Sequence, residues 1–164
     1  MSLLSQTQWL NSATVLLVLL LVAISWIDLQ HMIIPNVLNA TLAITGILVS
    51  VLSLHTAFLS IVLQPVSVVA LFWRIAQLYS HFRKVDGLGG GDIKFLGAAT
   101  CWVGAFGLPW ALLIASLSGL TLALCRHLMG HRLKAAQRLA FGPHLSLGLF
   151  VTWMMRDAIF NFPT

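Results

Sequence analysis

Four long stretches of this sequence hold no charged residue: residues 1–27, 29–73, 95–125 and 139–155. Ordinary soluble domains have about a quarter of their residues charged, whereas here the share is 8%, against 59% hydrophobic. Runs of this length satisfy their backbone polar groups internally and their side chains in hydrocarbon only as helices. The chain is therefore read as an all-α integral membrane protein, and a water-soluble globule is excluded. Passes of roughly 20 residues each leave no room in 164 residues for a sizeable extramembrane domain. Residues 1–164 are read as one polytopic membrane domain.

The first gap supplies a pass at 11–27 that stops at Asp28. No Lys or Arg precedes it and no small-residue cleavage pattern follows, so it is expected to be a retained span and not a signal peptide. The 29–73 gap would reach about twice the ~30 Å hydrocarbon core at 1.5 Å per residue. It divides near residues 53–56 into passes at 37–54 and 57–78. The 95–125 gap carries Gly104-Ala105-Phe106-Gly107-Leu108-Pro109 near its middle and reads as two short passes joined by that turn. The last pass is 139–155, extended toward residue 160. The expectation is about six transmembrane helices, falling to five if the Gly/Pro segment is only a kink.

Cations orient the bundle. Eight of the nine flank two connections: Arg74, Arg83, Lys84 and Lys94 the third-to-fourth, and Arg126, Arg132, Lys134 and Arg138 the fifth-to-sixth. The positive-inside rule makes that side cytoplasmic, with both termini outside. Topology alone accounts for these basic loops, and no nucleic-acid partner is inferred from the net charge of +5. Cys101 and Cys125 lie in apolar runs without metal-ligand spacing, so both are expected to pack within the membrane and no structural metal site is expected.

The acids are few enough to weigh singly: Asp28, Asp86, Asp92 and Asp157, with no Glu. Asp28 ends the first span on the cytoplasmic side, two spans go out and return, and Asp92 opens the fourth from that same side. Ionisable residues at such depth are costly unless paired, hydrated or used, which makes this pair a functional candidate. If the first and fourth helices are neighbours, the two carboxyls come within hydrogen-bond reach and share one proton, the arrangement of aspartic proteases. One acid then draws a proton from water while the other polarises the scissile carbonyl.

Gly87-Leu88-Gly89-Gly90-Gly91-Asp92 puts four glycines in the five positions before that acid. Glycine permits positive φ and close backbone approach. No GxxxxGK[ST] pattern or preceding strand is present, which rejects a phosphate loop. The plainer alternative is a flexible turn with Asp92 as a helix N-cap.

Gly89-Gly90-Gly91-Asp92-Ile93-Lys94 resembles the GxGD-x-K motif of type IV prepilin peptidases, polytopic aspartic proteases. Asp28-Leu29 followed by Ile34-Pro35-Asn36 resembles that family's first-aspartate segment. Phe141-Gly142-Pro143-His144-Leu145-Ser146-Leu147-Gly148 resembles the FGP-x-L-x-x-G stretch opening its final span. The likeness runs from about residue 14 to 150. It implies Asp28 and Asp92 as the catalytic pair, in an inner-membrane endopeptidase that cuts the basic leaders of prepilins or pseudopilins at the cytoplasmic face, just after a glycine. Two departures stand out. Gln30 and Met32 occupy positions where basic residues often follow the first aspartate, and nothing corresponds to the CxxC-bearing domain of longer members. Peptidase activity without N-methyltransferase activity is expected, with no cofactor and no metal.

Other residues are read more plainly. Asp86 in Asp86-Gly87 is a solvated turn acid, and Asp157 falls on the outer side. His31 is an interfacial histidine, and Lys94 either compensates the acids or anchors its helix end. The tryptophans are belt residues near span ends. Pro65 is expected to kink the third helix and let the first and fourth close together. Rival readings are a presenilin-like protease cutting within the bilayer, a proton-coupled transporter, or an assembly scaffold. Asn in place of either acid separates the last from an enzyme.

Overall fold

The computed structural model describes residues 3–53, 58–83, 89–129 and 140–156. They form five helices: α1 (Leu3–His31), α2 (Asn36–Ser53), α3 (Phe58–Arg83), α4 (Gly90–Leu128) and α5 (Gly142–Met154). Segments long and apolar enough to cross a membrane are Asn11–His31, Leu59–Arg83 and Gly90–Leu128, with Asn36–Leu52 a shorter apolar helix. Large apolar side chains such as Leu19, Leu63, Leu120 and Phe106 stand exposed on the outer faces. That is the surface of a helical protein whose solvent is hydrocarbon.

α4 spans 39 residues but is not straight. Gly104 has φ 69° and ψ 174°, a backbone region that is essentially restricted to glycine. The break frees backbone donors, and one of them, the Ala105 N–H, donates to Gln64 Oε1 of α3 at 3.0 Å. Non-helical backbone at this depth is tolerated where other protein groups satisfy it in this way. On a straight helix Asp92 and Gly119 would lie about 40 Å apart at 1.5 Å per residue. Instead Phe141 packs against Gly119 and also lines the cavity that holds Asp92. The two limbs of α4 thus fold back as a helical hairpin. The turn falls at Gly104, ahead of the Gly107-Leu108-Pro109 stretch that the sequence also offered. Its first limb, residues 90–103, is about 21 Å long, shorter than the ~30 Å core.

α4 is the hub of the bundle, packed on α2, α3 and α5, and α5 lies between α4 and α1. Leu17 and Leu21 of α1, Phe95 of α4, and Leu145 and Leu149 of α5 are buried in one core. The expected α1–α4 neighbourhood is therefore modified, because α5 stands between them and they converge at one end only. α3 runs unbroken through Pro65 from Phe58 to Arg83, and the Pro65 backbone carbonyl lies against Gly97 of α4.

Two tryptophans depart from the belt expectation. Trp102 and Trp153 are each 2% exposed and meet edge to face at 5.2 Å. Their indole N–H groups donate to the Leu42 carbonyl (2.8 Å) and to Thr14 Oγ1 (3.0 Å). A buried indole needs such a partner, and these bonds tie α4 to α2 and α5 to α1. Cys101 is buried as expected, its carbonyl accepting from Ser50 Oγ at 2.7 Å, whereas Cys125 is exposed.

Candidate active site

A cavity of about 1130 Å³ opens where α1 and α3 end and α4 and α5 begin. Asp28 and Asp92 both line it, 64 positions apart in sequence (92 less 28). Segments of all three motifs border it: Ile34-Pro35-Asn36, Gly89 to Lys94, and Phe141.

Asp28 sits in the last turn of α1 and is 5% exposed. Its Oδ2 accepts the backbone N–H of Gly142 at 2.8 Å. That donor belongs to the first residue of α5, where helix N–H groups lack intrahelical partners and the helix dipole favours negative charge. Pro143 follows at a position where a missing N–H costs little. A Cβ at position 142 would stand 2.7 Å from the Asp28 Oδ2 and 2.8 Å from its Cγ. Only glycine permits this approach, so the Gly of the Phe141-Gly142-Pro143 motif exists to let a carboxylate reach a helix start. α1 ends at His31, and the φ of 53° at the next residue, Met32, makes it the one described non-glycine residue with positive φ. The Met32 N–H still bonds to the Asp28 carbonyl at 2.8 Å.

Asp92 is held differently. It is the third residue of α4, half-buried, with its carboxylate turned back toward the Gly89 amide. The helix N-cap is Gly89, at φ −65° and ψ 138°, so Asp92 is not the cap. The motif glycines among the described residues use ordinary negative φ, so the positive φ that glycine permits is not what they supply. Their part is spatial. A Cβ on Gly90 would meet nothing within 4 Å, and one on Gly91 would only touch Ile34 at 3.4 Å. The glycines leave the approach to Asp92 bare.

The remaining motif residues brace this end. Asn39 Nδ2 donates to the Gly91 carbonyl at 3.2 Å, and Lys94 Nζ to Asn36 Oδ1 at 2.8 Å. Lys94 thus pairs with the Ile-Pro-Asn segment and, among the described residues, with no acid. His31 is exposed and lies off the cavity wall. Asp86 and Asp157, read as non-site acids, lie outside the described residues, as do Lys84, Arg132, Lys134 and Arg138. Sequence reasoning missed Asn39, the Gly142 amide as a donor, and the α3 wall of Trp73, Ala76, Gln77 and Ser80. For Asn39 a signal existed: an amide one turn after Asn36 in an otherwise apolar helix. Among the described residues, no three His, Cys, Asp or Glu side chains gather where they could hold a metal ion.

This arrangement can place two carboxyl groups on either side of a polarised bond and a water molecule, the requirement of acid–base hydrolysis. Comparison with known proteins points the same way. Residues 15–124 match the type IV leader peptidase family. Curated relatives include the prepilin leader peptidase/N-methyltransferase of Dickeya chrysanthemi, 37% identical over 77% of this chain and 44% of the relative. That of Burkholderia pseudomallei (strain 1026b) is 31% identical over 78% of this chain and 41% of its own length. That of Aeromonas hydrophila is 28% identical over 92% of this chain and 52% of its own. The chain spans about half the length of these relatives or less, and no solved structure matches it significantly. With more than half of its residues matched and its three motif segments gathered on one cavity, the chain belongs to the type IV leader peptidase family.

Proposed function

We propose that this chain is an aspartic endopeptidase that removes the basic leader peptides of type IV prepilins or pseudopilins at the cytoplasmic face of the inner membrane. The observation that carries the reading is the meeting of Asp28 and Asp92 on one cavity at the end of the bundle. One carboxylate takes a proton from the attacking water while the other gives its proton to the carbonyl oxygen; as the resulting gem-diol collapses, the first passes the proton it took to the departing amine and the second recovers one from a hydroxyl, which restores the pair. Substrate arrives as an amphiphile, its apolar stem in the bilayer and its leader in the cytoplasm, which brings the scissile bond to the interface. The topology that accompanies this is six crossings, the α4 hairpin contributing two, with the cation-rich connections inside. Residues 1–164 act as a single peptidase domain, without N-methylation of the product.

Co-expression with a prepilin tests the reading by precursor and mature bands. The wild-type protein is expected to process, and Asp28→Asn and Asp92→Asn each to abolish processing, while Asp86→Asn leaves it intact. Full processing by either of the first two variants would discard the mechanism and favour a scaffold. Cysteine labelling that put positions 28 and 92 on opposite leaflets would discard the topology.

A further inference from the structure

On the wall of the cavity that the two acids share stands a face of α3 that the motifs do not account for. Trp73, Ala76, Gln77 and Ser80 line it, at the spacing that keeps residues on one helical stripe. Trp73 is 50% exposed and Gln77 exposed, while Ala76 and Ser80 are half-buried. α3 packs on α4 and slightly on α2 but forms no comparable contact with α1 among the described residues. The cavity therefore separates the end of α3 from the wall that carries Asp28. Ser80 Oγ is turned onto the Gln77 carbonyl at 2.9 Å, whereas the Gln77 side-chain amide has no hydrogen-bond partner among the described residues.

An unpaired amide offers one acceptor and two donors in a plane, the complement of a backbone carbonyl and N–H pair. A helical substrate has those groups occupied, and only an extended segment presents them. The stripe from Trp73 to Ser80 rises about 10 Å, the length of about three extended residues at 3.3 Å each. Its polar members lie toward the Arg83 end of α3 and its indole lies deeper, so its polarity runs with that of an amphiphilic precursor. We infer that the Trp73–Ser80 face of α3 is the substrate-binding wall: Gln77 holds the backbone of an unwound segment at the scissile bond against the two acids, and Trp73 receives the first apolar side chains after it. This rests on the peptidase reading above.

The test uses the full-length protein in detergent or vesicles with a purified prepilin, and reads KM and kcat separately. Gln77→Ala is expected to raise KM about five- to tenfold, the worth of one or two neutral hydrogen bonds, with kcat changed by less than about twofold. Trp73→Ala should raise KM similarly, and Leu78→Ala, on the other side of α3 and off the cavity, should change neither. A second measurement does not depend on kinetics. In an Asp92→Asn background with Cys101 and Cys125 replaced by Ala, Gln77→Cys is expected to form disulfides with cysteines placed next to the scissile bond. Trp73→Cys should do so only with those on the apolar-stem side. Normal cleavage by wild type with KM unmoved by both α3 variants, or cross-links absent from positions 73 and 77, would overturn the inference and leave the peptidase reading standing. No cleavage of any prepilin by wild type would overturn both.

Discussion

Asp28 and Asp92 border the same cavity, yet they are secured by opposite means. Asp28 is almost fully buried and gripped from another helix, the Gly142 amide reaching it across 114 positions of sequence. Asp92 is half-buried and set by its own helix turn, with glycines around it that touch little. One acid is held by tertiary packing and the other by local backbone. Two glycine motifs in one site therefore need not serve one purpose: at Gly142 a side chain is sterically forbidden, and at Gly90 it is merely absent.

The largest effect that can break this contrast is loss of either carboxyl. Asp28→Asn and Asp92→Asn are each expected to lower the rate of leader cleavage by on the order of 10²–10⁴-fold. The double variant should be no worse than the weaker single, because the two act as a unit. Gly142→Ala comes next: its methyl must displace the Asp28 carboxylate, lowering cleavage on the order of 10²-fold for a shift of about 1 Å. Thermal unfolding should report a loss of about 1–3 kcal/mol from overpacking. A Gly142→Ala protein with wild-type activity would refute the tertiary hold on Asp28.

A smaller effect is expected at Asn39. Asn39→Ala removes its bond to the Gly91 carbonyl, costing about 1 kcal/mol or less, since it also removes a buried, unpartnered Oδ1. Smallest of all is Gly90→Ala, which meets open space and gains helix propensity. Stability should be unchanged or higher by less than about 1 kcal/mol. A marked loss of stability there would show that Asp92's turn is as tightly packed as Asp28's, and the contrast would collapse.

Much of the site was legible in sequence because a membrane protein with four acids leaves few choices. Charge-free runs decided the class, parity put Asp28 and Asp92 at one end, and the three motifs pointed at the segments that line the cavity. What sequence did not convey is packing. Nothing in Trp102 or Trp153 distinguishes an indole at an interface from one buried in a T-shaped pair. The α4 turn had several Gly and Pro positions to choose from, and Gly104 prevails where Gln64 of another helix can satisfy the freed amide. That α5 separates α1 from α4 depends on close approaches such as Gly148 against the Ala111 carbonyl, which no periodicity encodes.

The bond from Gly142 to Asp28 also orders events in the life of the protein. α1 is made before the other described helices, and its acid waits without its partner until they have been made, because the donor heads the last of them. A partly synthesised polypeptide therefore already holds both acids but lacks the amide that sets the first of them, so the proposed site is complete only once α5 has left the ribosome and docked.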